Sequence, residues 1–413
     1  MFKNTSAKFN RASVVRILAL VLLVLAVALG AYLFGRSQSP AGLGEADQES
    51  LRLYAEALDV VQDDYVDQGA IKPRQQTYAA IEGMLDSLGD GGHTRFLTPE
   101  ERQQNRRGLS GTYVGVGIQL ESKDGDAVVA APIEGSPAEQ AGVQTGDVIV
   151  AVNGESVRNQ EISRIAERVR GPEGTEVEII ILRDEEEREF VLERSEIQSP
   201  VVSWNLISGT NVAHVRLASF TNDSAEKLQE AFGEAREAGA ERFILDLRNN
   251  PGGRLDQAVG MAGQFLEPDS VVYIRQDASG DREEVRVSGD AEPTNAPLAV
   301  LVNNGSASSS EILAGALRDN GRAPVIGTTT FGTGTVLKEF TLDDGSSILL
   351  GIAEWLTPDG DFIRESGIEP DIKVKLGEDS EPITPPEAED LSREEVFEED
   401  AQLRRAFEEL ESQ

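Results

Sequence analysis

Between Pro200 and Val374 short apolar runs alternate with amphipathic stretches, and this alternation limits the fold more than any other feature of the chain. Strand-like runs fall at Asn211–Leu217, Arg242–Leu247, Leu298–Val302, Val325–Gly327, Val336–Thr341 and Ser347–Ile352. Helical periodicity falls at Ser224–Ala238, Leu255–Phe265 and Ser308–Asp319. Parallel strands need long crossovers, which helices supply, so the pattern predicts an α/β core with a mostly parallel sheet.

One strand runs straight into chemistry. Leu301 to Ile312, LVNNGSASSSEI, reads as a buried strand, a turn of small residues and a helix start. Such a turn sets hydroxyls beside unpaired backbone N–H groups. A serine there can act as a nucleophile, and a developing oxyanion can be held. Ser306, Ser308, Ser309 and Ser310 serve equally well as caps and turn formers, so the stretch alone leaves both readings open. Asp246 to Gly253, DLRNNPGG, ends another strand in a glycine turn, where backbone N–H groups can approach a substrate with no Cβ in the way.

Upstream, Leu109 to Ile197 turns to short strands, with Tyr113–Leu120 and Ala127–Ala131 followed by a capped turn of helix from Gly135 and a strand from Gly146. Before them come helical stretches at Glu49–Tyr65, Pro73–Leu88 and Pro99–Arg107, broken by Gly89–Gly92 and preceded by a Ser/Pro/Gly linker from Ser37 to Gly44. The first shows its period in Leu51, Tyr54, Ala55, Leu58 and Val61. From Gly377 the chain is acidic and Pro-containing, with one terminal helix over Glu395–Leu410.

The uncharged run Ile17–Gly35 spans roughly 28 Å as a helix, enough for a bilayer core. Lys3, Lys8, Arg11 and Arg16 precede it, which keeps the N-terminus in the cytoplasm and sends the rest outside. Ala26-Val27-Ala28 resembles a cleavage site, but the run continues past it, which favours an uncleaved anchor. The net charge of −35 argues against nonspecific nucleic-acid binding. With no cysteine, disulfides and thiolate chemistry are excluded. With two histidines, His93 and His214, a multi-histidine metal site is disfavoured.

Taken together, GSASSSEI at Gly305–Ile312, FILDLRNNPGG at Phe243–Gly253, HVRLASF at His214–Phe220, TTFGTGTV at Thr329–Val336 and EWLTPDG…GIEPDI ending at Ile372 resemble the carboxyl-terminal processing peptidases, or tail-specific proteases. GSPAEQAGVQTGDVIVAVNG at Gly135–Gly154 resembles a PDZ domain. Hydropathy and charge make residues 1–36 a cytoplasmic tail and transmembrane anchor and 377–413 an acidic tail or helix; between them the resemblance implies 37–108 as linker and helical segment, 109–197 as a β-barrel-like PDZ domain and 198–376 as a ClpP/crotonase-like βα serine protease core. It also implies Ser308 as nucleophile, and Gly252 and Gly253 with the N–H near Ser309 as oxyanion and substrate-binding groups. The N–H groups of Val114, Gly115, Val116, Gly117 and Ile118 would receive a peptide's terminal carboxylate, with the peptide added as an extra strand. Arg170 falls near the family's core interface, or is a solvated helix-end charge. The family's helical segment supports dimerisation or substrate gating, which makes a homo-oligomer an expectation.

The pattern breaks at the base. The family's catalytic lysine falls on Thr333, and the glutamine that orients it falls on Leu337. Lys338 stands five positions beyond Thr333, on the wrong face of one strand and roughly 16 Å away at ~3.3 Å per residue. Tricorn-type relatives use a histidine from the N-terminal part of the core and a glutamate before G-[VI]-x-P-D. These fall on His93, in GDGGHTRFLTPEE, and Glu365. A Ser308–His93–Glu365 triad is one expectation; an inert turn histidine at His93 is the other. His214 reads as core or sheet surface, and Glu354, Thr357 and Pro358 as structural. The expectation is a single-pass membrane protein whose bulk is periplasmic or extracellular. It would be a serine endopeptidase that captures exposed C-termini of protein substrates, with no cofactor, or else a pseudoprotease acting as a PDZ adaptor.

Overall fold

The computed structural model describes residues 44–412 except 91–92, 124–125, 134, 159, 161, 184–185, 290–291, 378–379 and 390. The run Ile17–Gly35 lies outside the described residues, among which no helix is long and apolar enough to cross a membrane. The chain divides into two units, Met1–Thr77 and Tyr78–Gln413. The first contains α1 (Glu45–Asp64), on which Leu51, Tyr54 and Val61 are exposed, and a short 3-10 turn at Gln68–Ala70. Helix α2 (Pro73–Asp86) runs across the division.

In the second unit, β1 (Arg95–Leu97) leads to α3 (Pro99–Ser110), whose start is set by Thr98 capping the Glu101 N–H and whose end is set by left-handed Gly111. A β module follows: β2 (Thr112–Gly115), β3 (Ile118–Lys123), β4 (Asp126–Pro132), α4 (Pro137–Ala141), β5 (Val148–Val152), β6 (Glu155–Ser156), α5 (Ile162–Val169), β7 (Glu176–Arg183), β8 (Glu186–Glu193) and β9 (Ser195–Gln198). Its sheet runs β3-β4-β5-β7-β8, with β6 on β5, while β2 and β9 form a separate ladder. Val129, Ile149, Ile165, Ile179 and Ile181 close a core that is its own.

The remaining chain gives β10 (Val202–Leu206), β11 (Val212–Leu217), α6 (Ser224–Glu237), β12 (Arg242–Asp246), α7 (Leu255–Ala262), β13 (Val271–Gln276), β14 (Arg282–Arg286), β15 (Leu298–Val302), α8 (Ser309–Asp319), β16 (Val325–Gly327), β17 (Thr335–Thr341), β18 (Ser347–Leu356), β19 (Ile372–Lys373), α9 (Arg393–Glu399) and α10 (Ala401–Glu411). The central sheet is ordered β10-β11-β12-β15-β16-β19, parallel except for β10. Both faces are covered, which is why β15, LAVLV, is buried at every residue. Leu298, Val300 and Val302 face the core shared with α6, α7 and α8, while Ala299 and Leu301 face the other side with Ile244 and Leu403.

Two expectations change. The strands near Val336 and Ser347 do not join the parallel sheet. With β1, β13 and β14 they form a second, antiparallel sheet, because β17 and β18 are linked by a tight turn and pair as a hairpin. In place of one terminal helix over Glu395–Leu410, the structure has two, α9 and α10, which meet at Asp400. Val396, Leu403, Ala406 and Leu410 are buried against the sheet, since one face of α10 is apolar although its overall charge is not. A buried polar cluster joins it there: Arg248 bonds Asp246, and its Nη1 reaches Asp400 at 2.7 Å, while His214 bonds Asp246 at 2.9 Å.

Two outcomes are expected. Leu403→Ala, which opens a cavity under α10, should cost about 2–5 kcal/mol in urea unfolding; an unchanged midpoint would mean that α10 is not part of the core. Burial pushes the Asp246 carboxyl up, but the Arg248 guanidinium and the His214 hydrogen bond override it and hold it far below its ordinary 3.8. The unfolded chain therefore takes up that proton first, so this stabilisation is present above about pH 4 and is lost as pH falls below it. Urea midpoints measured from about pH 7 down to 3 should drop at the acid end, and Asp246→Asn should flatten that drop.

Candidate active site

Parallel pairing of β12 with β15 puts the turns after both strands side by side at their carboxyl ends, where α/β sheets open a crevice. Three serines tie the turns together. Ser306 Oγ donates to Leu247 O (2.7 Å), Ser309 Oγ to Gly253 O (3.2 Å) and Ser310 Oγ to Asn250 O (2.9 Å), and the Ala307 N–H adds a bond to Asn250 O (3.0 Å). Ser308 does otherwise. It is half-buried, and its side chain accepts no capping hydrogen bond from α8. Its backbone sits at φ 53° and ψ −117°, strain of about 1–3 kcal/mol that the surrounding bonds must hold. The serine cluster thus divides: three crosslinkers and one half-buried serine with no capping bond at a strained strand-to-helix turn.

The glycine turn lies against Ser308. A Cβ on Gly252 would sit 2.8 Å from Ser308 Cβ, and one on Gly253 would sit 2.2 Å from Phe220 O. Gly253 pairs with Phe220 as an isolated parallel bridge, in which Gly252 O and the Arg254 N–H make the bonds. That pattern turns the Gly253 N–H away from Phe220. Among the described residues neither it nor the N–H of Ser309, first residue of α8, has an intramolecular acceptor. The Gly252 N–H is engaged with Asn250 Oδ1 at 2.9 Å, so Gly252 supplies close approach rather than a donor.

Thr333, on which the resemblance expects the family's lysine to fall, is fastened to a carboxylate to which the sequence pattern assigns no role. Glu311 is fully buried and accepts from Ser308 N–H (2.9 Å), Gly332 N–H (2.6 Å), Thr333 N–H (3.0 Å), Thr333 Oγ1 (2.9 Å) and Thr330 Oγ1 (2.6 Å). Its signal was the Ser308-x-x-Glu311 spacing of a helix start. Lys338 lies elsewhere, exposed, with Nζ 5.2 Å from the Phe340 ring, and Leu337 is exposed.

His93 stands near this loop but not on the serine. Its Nδ1 is 3.4 Å from Thr335 Oγ1, its ring is 6.0 Å from that of Phe331, and among the described residues no hydrogen bond joins it to Ser308. Glu365 is exposed. Its left-handed backbone (φ 63°) bonds Gly332 O through N–H, and its side chain makes no bond to His93. The carboxylate that feels His93 is Asp90. Burial pushes Asp90 up, but hydrogen bonds from Thr94, with His93 and Arg364 nearby, hold it below the usual range. Asp90, Thr94, Thr335, Glu354 and Arg364 line a cavity of about 540 Å³. Glu354 is tied to Gln276, and Thr357 is buried. Among the described residues no cluster could hold a metal ion.

In the β module, Val114 and Gly115 are paired with Glu196 and Ser195, and Ile118 opens β3 opposite Pro132. Between them, the N–H groups of Val116 and Gly117 have no acceptor among the described residues. Only glycine fits at 117, where φ is 77° and a Cβ would sit 2.2 Å from Ser136 Cβ. The groove beside this loop is lined by Tyr113, Leu120, Ile149, Ala166 and Val169. Arg170 stacks over the Tyr113 ring at 5.3 Å.

The sequence model of peptidase family S41 matches residues 211–374, and that of the PDZ domain matches 128–183. A probable CtpA-like serine protease of Staphylococcus aureus (strain COL) is 35% identical over 356 residues, covering 86% of this chain and 70% of the relative. The chain belongs to peptidase family S41. A probable CtpA-like serine protease of Staphylococcus haemolyticus (strain JCSC1435) is 34% identical over 374 residues, 90% of this chain and 74% of the relative. Among solved structures, a photosystem II D1 C-terminal processing protease is 31% identical, with 78% of this chain and 92% of that one covered and a TM-score of 0.47. In this family member the PDZ match falls within the β module, and the S41 match runs from β11 to β19, across both the parallel and the antiparallel sheet.

Glu311→Gln would place an amide N–H against a set of donors. It should cost on the order of 1–3 kcal/mol in chemical denaturation and open residues 330–335 to proteolysis; unchanged stability and unchanged digestion would refute the hub role.

Proposed function

We propose that this S41 protein is a serine endopeptidase that cleaves with Ser308, takes protein substrates by exposed C-termini in its PDZ groove, and is anchored by Ile17–Gly35 with its bulk outside the cytoplasm. One observation carries the reading. A hydroxyl free of capping, on a strained turn, stands beside the N–H groups of Gly253 and Ser309, which have no acceptor of their own. Ser308 Oγ attacks the scissile carbonyl, and the oxyanion takes those two N–H groups. The serine proton passes to the His93 imidazole and then to the leaving amine, and water hydrolyses the acyl-enzyme. His93 must close on Ser308 in the substrate complex, where catalytic hydrogen bonds tighten.

A second reading, a PDZ adaptor that keeps the fold without turnover, is favoured by a specific observation. Thr333, where the resemblance puts the lysine, is bound to Glu311, and among the described residues no basic side chain is hydrogen-bonded to the Ser308 hydroxyl.

Cleavage of an unfolded reporter by the purified full-length chain separates the two. Wild type is expected to cut, with Ser308→Ala and His93→Ala each losing about a thousandfold or more. Retained cleavage in His93→Ala would remove the histidine from the mechanism. A silent wild type that still binds a C-terminal peptide, with Thr333→Lys gaining turnover, would establish the adaptor instead.

A further inference from the structure

We propose that Asp400 and Gln402, at the start of α10, are positioning residues for the oxyanion turn, acting through Arg248. The catalytic part of this inference rests on the reading of Ser308 and Gly253 above; the structural part does not.

Arg248 stands inside DLRNNPGG, one residue before the turn that carries the Gly253 N–H. It is 1% exposed. Its backbone N–H and Nε both bond Asp246 Oδ1 at 2.9 Å, and its Nη2 bonds Asp246 Oδ2 at 2.6 Å. The other arm of the guanidinium faces the C-terminal segment, with Nη1 2.7 Å from Asp400 Oδ2 and 3.2 Å from Gln402 Oε1. These partners are themselves fixed. Asp400 Oδ1 caps α10 at the Leu403 N–H (2.8 Å), Asp400 Oδ2 accepts from the Ile383 N–H (3.1 Å), and Gln402 Nε2 donates to Val374 O (2.8 Å) just past β19. The planar fork of one arginine is therefore clamped from opposite sides, and with it the plane of the peptide that starts the turn.

Stability alone gives a weak reason for such a cluster. Burying charges costs desolvation, and apolar residues close a helix–sheet face as well or better. Directional geometry gives a stronger one. Beyond Arg248 the backbone takes φ 55° at Asn249, 91° at Gly252 and 142° at Gly253; glycine adopts the last two freely, so the shape of the turn has to be set by its anchors. Ser306, Ser309 and Ser310 hold this turn from the nucleophile's side. Arg248, gripped by α10, holds it from below the sheet. The C-terminal helix is in this sense a part of the catalytic unit, although it lies on the opposite face of the sheet from α8.

Asp400→Asn in the full-length chain is the test. Asparagine keeps the shape and the acceptor for Leu403, and loses the charge facing Arg248. Amide hydrogen exchange at Asn249, Asn250 and Gly252, all hydrogen-bonded in the wild type, should speed up by about tenfold or more, with residues 128–183 unchanged. On the reporter, kcat should fall on the order of tenfold to a hundredfold, with KM held within about threefold. Unchanged exchange in the turn, or an equal rise along β11, β12 and β15, would overturn the proposal, the second by showing a role in global stability only. If Asp400→Asn does not fold, Gln402→Met, which removes the weaker Arg248 contact and keeps the volume, decides by the same exchange readout with a smaller rise expected. If the wild type cleaves nothing, the functional reading fails, and exchange at the turn still decides whether the brace exists.

Discussion

Parallel pairing between β12 and β15 is the contact on which the candidate site depends. Register matches Asp246 with Leu301, so the chain leaves both strands at the same level and the two following turns meet. Buried apolar side chains on both faces of β15 make a slip costly, because a shift of one residue would exchange the two faces. Once the strands are locked, small side chains do the rest. Three serines cross-link the turns through backbone carbonyls, and two glycines let main chain approach main chain where a Cβ would collide with Phe220 or Ser308. The strain at Ser308 is held by this scaffold.

Around that scaffold the electrostatics are unusual for a serine peptidase site. The residue of the facing loop that bonds the Ser308 backbone is neutral Thr333, and the carboxylate there is Glu311, enclosed by five donor contacts. Glu311 organises the loop and holds the start of α8, so it is a structural anion. In the proposed mechanism proton transfer falls to His93, whose Nδ1 lies 3.4 Å from Thr335 Oγ1. An enzyme built this way would turn on when substrate closes that approach; an adaptor would leave it open.

Much of the architecture was legible before any coordinates. Arg242–Asp246, Leu298–Val302 and Val325–Gly327 announce themselves because strands buried on both faces must be continuously apolar. The hairpin Val271–Arg286 was not legible, because Arg275, Glu283, Glu284 and Arg286 mask its alternation at the solvent face. The exposure of Glu365 was not legible, because spacing to GIEPD fixes a backbone position and says nothing of side-chain direction. Asp90 and Glu311 went unassigned because a carboxylate's importance depends on which donors surround it.

By itself, the sequence determined most helices and strands of the core, the apolar faces that drive their packing, and the serine and glycine turns. These follow from local composition and period. Only the tertiary structure decided which of four serines keeps a free hydroxyl, which glycine N–H stays unbonded, and that an aspartate 152 residues beyond Arg248 grips it from the far face of the sheet. The physical reason is the same in each case: hydrogen bonds and ion pairs between distant segments are set by how strands stack and cross, and no local pattern encodes that geometry.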